Sequence, residues 1–250
     1  MTFRPTRDHL LPPLDPKMEI VLLARALWRE GYDDHLAGHI TYNLGGGRLL
    51  CNPWLLTWQE FGPDDIITID LDGNVLEGDW PPPLGIPLHL ELHKARPDVR
   101  VAVHNHPRWG TIWCDLKRIP DRHDQSSIMG GGSVALVSEY DGGVDDPQAA
   151  ARAVAAMGNA DIAVLAHHGV FVLGGSIRAV HQRSVAFEQR SRAAYLVALA
   201  GGLDQPPQAI LDRFEAFDGE EIFGFWEAMA RRELNADPTL LEYVGAGNPV

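Results

Sequence analysis

Two short apolar runs in this chain end in histidine. Val99-Arg-Val-Ala-Val103 leads into His104-Asn105-His106-Pro107, and Asp161-Ile-Ala-Val-Leu-Ala166 leads into His167-His168-Gly169. Both runs read as buried strands. In a strand, residues i and i+2 face the same side, so His104 and His106 can present two imidazoles to one point. His168, just past the second strand, can add a third. Three neutral imidazoles with an open fourth position make a catalytic-type site for a zinc-like ion. A lone His-x-His is more often incidental. Here both motifs lie at strand ends followed by Pro or Gly, where sites tend to be built. His167 should point away if the strand continues, and reads as a non-ligand. Two cysteines, Cys51 and Cys114, are too few for a thiolate cage and suggest no disulfide framework.

The surrounding pattern sets the fold class. Residues 1–14 read as an arm, with Pro5, Pro12 and Pro13 blocking regular structure. Asp15-Pro16 looks like a helix cap with proline at the first helical position, and Ile20, Leu23, Ala24, Leu27 and Trp28 follow at helical spacing up to Gly31. Ile40-Thr-Tyr-Asn-Leu44, the glycines 45–47 and Arg48-Leu-Leu-Cys51 form a hairpin signal. Further strands are expected at residues 66–70, 75–76 and 134–137. Helices are expected at 87–94, 147–157 and 177–200, the last closed by Gly201-Gly202. Strands that alternate with helices but include hairpins predict an α/β fold, an α/β/α sandwich around a mixed, mainly antiparallel sheet. No Gly-x-Gly-x-x-Gly opens a helix after a strand, and Gly130-Gly-Gly132 lacks that setting. The domain is expected to span residues 15–203. Residues 204–250 form a helical tail, with one or two amphipathic helices over 209–234.

Charge narrows the partners. A formal net charge of −13 over 250 residues argues against general binding to nucleic acid or anionic membranes, which needs a basic face. No apolar segment is long enough to span a bilayer, and the Pro-rich start lacks an apolar signal core. A cytoplasmic, reducing setting is the default expectation.

Several strings resemble one family. His89-Leu-Glu-Leu-His93-Lys-Ala-Arg96-Pro97-Asp98-Val99 followed by Ala102-Val103-His104-Asn105-His106 resembles the core of the class II aldolase/adducin family. So do Ala37-Gly38-His39-Ile40-Thr41 and His168-Gly169-Val170 with Gly174. The resemblance covers roughly residues 17–200. It implies an α/β/α fold, usually a homotetramer, in which a tail such as residues 204–250 packs on a neighbouring subunit and often completes its pocket. It also implies a divalent ion, zinc first, held by the residues matching His104, His106 and His168. Manganese, iron or cobalt would suit three imidazoles too.

The departures from that family point to the reaction. Its sugar-phosphate aldolases carry a catalytic Glu four residues before the position of His89, where this chain has Gly85. Their Ser-Ser phosphate grip falls on Pro83-Leu84, their Thr-Gly contact near Trp54-Leu55, and the Gly-Asn of their phosphate loop on Gly38-His39. The pattern looks closer to the adducin-like branch, which carries Gly-His and lacks the Glu. What remains suits a decarboxylase of a non-phosphorylated hydroxy- or oxo-carboxylic acid, with a dihydroxy-aromatic acid as one class. Losing carbon dioxide needs an electron sink and a proton returned to carbon, but no base to strip one from carbon. The alternatives are a retro-aldolase on a hydroxy-oxo acid and a non-catalytic adducin-like scaffold, which would lack the metal histidines.

Candidates for moving the proton are His35, His39, His89, His123 and Glu91, with His39 first and His89 beside it. His93 and His181, on helices, read as surface or interface residues. Gly38, Trp54, Gly85 and Arg108 are expected to line the substrate site, Arg108 as a bidentate grip on a carboxylate. Among Trp54, Trp58, Trp109 and Trp113, at least two are expected to be core residues. If Trp54 and Trp109 line the pocket, the substrate is flat or apolar.

Overall fold

The computed structural model describes residues 2–139, 145–202, 204–215 and 223–244. Its centre is one eight-stranded sheet in the order β4-β3-β2-β1-β5-β8-β7-β6. The strands are β1 (Gly38–Gly45), β2 (Arg48–Cys51), β3 (Ile67–Asp70), β4 (Val75–Glu77), β5 (Val101–Asn105), β6 (Val134–Val137), β7 (Ile162–Leu165) and β8 (Val170–Gly174). Every pairing is antiparallel except β6 with β7, so the sheet is mixed and mainly antiparallel. Glycines 45, 46 and 47 all take positive φ, which lets β1 turn tightly into β2.

Alternation along the central strands divides the core. Ile40, Tyr42, Val101, Val103, Val170 and Val172 face one side, with α1 (Pro16–Arg29) and α5 (Ile177–Leu199). Ala102, Phe171, Leu173, Ala163 and Leu165 face the other, with Leu88 and Leu92 of α2 (Ile86–Ala95) and Val154 of α4 (Pro147–Met157). The result is the α/β/α sandwich. Helix α3 (Gly110–Asp115) is a short connector after β5.

The helix ends follow their local chemistry. Asp15 accepts a hydrogen bond from the Met18 N–H at 2.8 Å, and Pro16 takes the first helical position. Helix α2 opens at Gly85, which carries no capping side chain, with Pro87 in its first turn.

Two histidines correct the sequence reading. His93 and His181, expected at a surface or interface, are only 4% and 3% exposed. His93 lies one turn beyond His89, on the side of α2 that meets β1. His181 packs edgewise on Trp226, with ring centroids 5.4 Å apart. Each helix carries a second neighbour that its own periodicity does not announce.

In the tail, α6 (Gln208–Glu215) and α7 (Phe225–Ala236) form two helices. Helix α7 lies on α1 and α5 of its own chain, burying Trp226, Ala230 and Leu234. Ion pairs tie it down, among them Arg29 to Glu233 at 2.8 Å, Arg25 to Asp237 at 2.7 Å, Arg178 to Glu227 at 2.6 Å and Arg232 to Glu30 at 3.6 Å. The rest of the tail, residues 216–222 and 245–250, falls outside the described residues. Among those described, no helix is long and apolar enough to cross a membrane.

Because α7 completes the core rather than decorating it, Trp226→Ala should cost about 3–5 kcal/mol. A urea titration reads this as a lower midpoint, and an unchanged midpoint would show that the tail is dispensable.

Candidate metal centre

The β1–β5 pairing builds the floor of the site. Gly38 faces Asn105 and His39 faces His104 across the ladder. His104 is the next-to-last residue of β5, and His106 follows two residues on. Between β7 and β8 the chain reverses through residues 166–169 and brings His168 beside them. The three imidazoles have candidate ligand atoms all within 4.8 Å of one another. Their ring centroids are 5.2 Å (His104–His106), 4.8 Å (His104–His168) and 5.0 Å (His106–His168) apart. The turn can close this far because residue 169 is glycine. A Cβ there would lie 2.4 Å from the His106 ring and 2.5 Å from the Asn105 carbonyl oxygen. His167 takes a left-handed conformation (φ 55°) where the strand has already ended, and its ring is not part of the cluster.

Two ligand candidates are oriented from behind. His104 Nδ1 meets the Val170 carbonyl oxygen at 2.9 Å, and His106 Nδ1 meets Asp34 Oδ2 at 2.7 Å. Each outer contact places the N–H on Nδ1 and leaves Nε2 with a lone pair for an ion. His106 Nε2 is buried and has no hydrogen-bond partner. An orphaned, oriented nitrogen of this kind is what a metal ligand looks like without its ion. Burial drives the pKa of His104 well below its usual value and lowers that of His168 to about 4. Both are therefore neutral near pH 7, the form a metal requires. The donor set of three imidazoles could hold a divalent ion.

The space beside the cluster is filled by His39, whose ring centroid lies 5.4 Å from that of His104. It is 6% exposed, and burial holds its pKa at about 3. A Cβ on Gly85 would fall 2.3 Å from His39 Cε1. The imidazole therefore occupies the volume that a side chain at position 85 would need. Behind it, His89 is fully buried, 5.8 Å from His39 between ring centroids. Thr41 Oγ1 lies 2.8 Å from His89 Nδ1 and 2.8 Å from His93 Nε2.

The remaining candidates disperse. His35 is in an exposed turn against Asp34, His123 contacts the Asp204 carbonyl, and Glu91 pairs with Lys94. Arg108 is exposed and its guanidinium is already held by Asp33, with Nε 3.0 Å from Oδ1. Trp58 and Trp113 are buried, donating to the Gly38 and Ser191 carbonyls. Trp54 is half-buried on its loop, and Trp109 packs on Tyr195 with centroids 5.6 Å apart. Gly38 is needed for packing: a Cβ there would lie 2.4 Å from Asn105 Nδ2 and 2.5 Å from Trp58.

Four contributors escaped the sequence reading. Asp34 lies 72 residues from the histidine it orients, and nothing local marks it. Thr41 and His93 carried a signal: Thr41 is two residues from His39 on one strand, and His93 is four from His89 on one helix. Glu188, on α5, is a fourth case of support at a distance. It accepts from the Trp109 and Gly110 N–H groups at 2.8 and 2.9 Å, fixing the loop that follows His106.

A family model described as Class II Aldolase and Adducin N-terminal domain matches residues 18–195. The chain is 30% identical over 202 residues to a 3,4-dihydroxyphthalate decarboxylase of Arthrobacter keyseri, covering 73% of this chain and 79% of that protein. It is 29% identical over 167 residues to a 5-methylthioribulose-1-phosphate/5-deoxyribulose-1-phosphate aldolase of Rhodospirillum rubrum, covering 66% and 74%. Among solved structures, an L-fuculose 1-phosphate aldolase from Glaciozyma antarctica superposes with a TM-score of 0.77 at 20% identity, covering 94% of this chain and 96% of that one.

Two expectations follow from the geometry. Asp34→Asn should weaken metal binding about tenfold to a hundredfold while leaving the fold intact, as read by titration with a competing chelator. Wild-type affinity in this variant would show that Asp34 does not orient His106. The second concerns acid. Burial pushes His39, His89, His93, His104, His168 and His181 below the usual 6.5. The unfolded chain gains protons on these six near pH 6.5, and the folded metal-free chain takes them up only at lower pH, His93, His168 and His181 at about 4 and His39 at about 3. Their contribution is thus complete above pH 6.5 and is lost as pH falls. Glu19 and Glu188, pushed up to about 7 by burial, act in the opposite sense but are outnumbered. Each net proton is worth about 1.4 kcal/mol per pH unit. The metal-free protein should have a clearly lower Tm at about pH 5 than at about pH 7. An equal Tm at the two would contradict the burial of neutral imidazoles.

Proposed function

The chain belongs to the class II aldolase and adducin family, and from that membership we propose that it is a divalent-metal-dependent carbon–carbon lyase. Its reaction is decarboxylation of a non-phosphorylated hydroxy- or oxo-carboxylic acid, with dihydroxy-aromatic acids as the leading class. The observation that carries this reading is the exchange at Gly85. The volume of a side chain at that position is taken by the His39 imidazole, so the metal histidines stand beside an imidazole and not beside the carboxylate of the sugar-phosphate aldolases. The decarboxylase relative from Arthrobacter keyseri supports the same reaction class.

His104, His106 and His168 would hold the ion, zinc first, with manganese, iron or cobalt compatible. When bound, such an ion supplies Lewis-acid stabilisation of charge on a substrate oxygen, worth several kcal/mol. The chain's own residues do the rest. His39 Nδ1 is buried without a partner, so Nε2 is the nitrogen that meets substrate and carries the proton returned to carbon. A substrate carboxylate beside it raises the His39 pKa and favours that proton. His89 supports His39 from behind. Gly38, Trp54, Gly85 and Arg108 are the proposed substrate contacts, and for Arg108 this means exchanging Asp33 for the substrate's carboxylate. The assembly is a homotetramer in the cytoplasm. One observation favours a second reading, a retro-aldolase with His39 as base: the similarity to the Rhodospirillum rubrum aldolase.

A carbon dioxide release screen over hydroxy-aromatic and hydroxy-oxo acids tests the proposal. The metal-loaded protein should release carbon dioxide, and His106→Ala should lower the rate about a thousandfold with loss of metal. His39→Gln should lower kcat about 10²–10⁴-fold with metal retained. Cleavage confined to phosphorylated sugars would sink the proposal.

A further inference from the structure

A cavity of about 420 Å³ lies away from the metal histidines, between the N-terminal arm, α1, β1 and the start of α5. Tyr42 lines it from β1, on the face that packs with α1 and α5, opposite to that of His39 and Thr41. Arg100 lines it from the residue before β5, at the end of that strand remote from His104. The cavity is thus separated from the metal centre by the sheet itself. Its size is that of a small-molecule site.

Two charged groups in the cavity are uncommitted. Glu19 stands in the first turn of α1, where Asp15 already caps the helix. Its carboxylate makes no hydrogen bond or ion pair among the described residues. Burial pushes its pKa up to about 7, Asp15 adds to that, and Arg178 and Arg100 oppose it from a distance. Keeping such a carboxylate ionised without a partner is costly. Arg100 is exposed, and its guanidinium lies 5.5 Å from the Tyr42 ring centroid with no ion pair among the described residues. Arg178, by contrast, is spoken for: it pairs with Glu227 at 2.6 Å and lies over the Phe223 ring. The cavity therefore offers one anion in need of a cation and one cation in need of an anion. Ile177, Phe223 and Trp226 supply its apolar wall.

The arm gives the cavity its outer wall, through Leu10, Leu11 and Pro12. It is tied to α7, where Arg231 donates to the Leu10 carbonyl at 2.9 Å and Asn235 Oδ1 accepts from the Phe3 N–H at 3.1 Å. We propose that this cavity is a second binding site, independent of the metal centre, for an aromatic α-amino acid. The ammonium meets Glu19, the carboxylate meets Arg100, and the ring lies on the side of Phe223 and Trp226, with the arm as the strap that holds the ligand in. A dicarboxylate would be repelled by Glu19, and a simple amine would leave Arg100 without an anion. A ring suits the aromatic wall better than a sugar, because flat apolar faces pack there with little lost hydration.

Isothermal titration of the full chain with L-phenylalanine tests the site, with a dissociation constant of about 1 mM or tighter expected. 3-Phenylpropionate lacks the ammonium and phenethylamine lacks the carboxylate. Each should bind about tenfold to a hundredfold more weakly, the worth of one hydrogen-bonded charge pair. Glu19→Gln and Arg100→Met should each weaken L-phenylalanine by a similar factor and leave metal content unchanged. Arg100 is exposed, so Arg100→Met keeps the fold and decides the matter if Glu19→Gln does not. Trypsin gives a readout independent of heat: saturating L-phenylalanine should slow cleavage after Arg4 and Arg7 of the arm. No binding at about 10 mM, equal affinity for the three probes, full affinity in Arg100→Met, or cleavage of the arm unchanged at saturation would each overturn the proposal.

Discussion

Strand β1 meets β5 antiparallel, with Gly38 opposite Asn105 and Tyr42 opposite Val101, and the chemistry of the molecule depends on that register. It sets His39 opposite His104 and Thr41 opposite Ala102, all on the face that α2 covers. A slip of one residue would turn His39 and Thr41 into the apolar layer under α1 and α5 and bring Ile40 and Tyr42 to the site. The register is protected from both sides. Ile40 and Val103 are wholly buried in the first layer, while Ala102 and Phe171 are wholly buried in the second. Asn52 adds a side-chain clamp, accepting from the Ile40 N–H at 2.7 Å and donating to the Gly38 carbonyl at 3.2 Å.

Much of this was legible in the sequence, because the signals were periodic and local. The alternation in β5 announced that His104 and His106 share a face, and Gly169 and Pro107 announced that the strands end there. Asp15-Pro16 marked the start of α1, and the glycines 45–47 marked the β1–β2 turn. The mixed, mainly antiparallel sheet followed from hairpins set among helices. What stayed hidden depends on contacts between distant segments. Asp34 orients His106 across 72 residues, Glu188 fixes residues 109 and 110 from α5, and α7 buries His181 through Trp226. None of these has a period. His93 was misread because a helix position is judged by its neighbours at three and four residues, whereas its partner, Thr41, lies on a strand 52 residues earlier.

The glycines at the site act by what they leave out. Gly169 lets the β7–β8 turn reach His106, and Gly38 lets β1 lie against Trp58 and Asn105. Gly85 differs in kind, because the space it leaves is filled by a functional group from another element. Residues 39 and 85 therefore form one steric unit. A larger residue at 85 expels the His39 ring, and a smaller residue at 39 opens a hole above α2.

The same unit explains why the site gathers so many neutral imidazoles without a compensating acid among them. A carboxylate next to the cluster would stabilise protonated histidine and compete with an ion for the lone pairs. The carboxylate that Asp34 supplies instead lies behind His106, on the Nδ1 side, where it orients the ring and strengthens the nitrogen facing the centre. The carboxylate is thus placed behind the three imidazoles, not between them, and the space beside the cluster is left to His39, whose burial keeps it neutral.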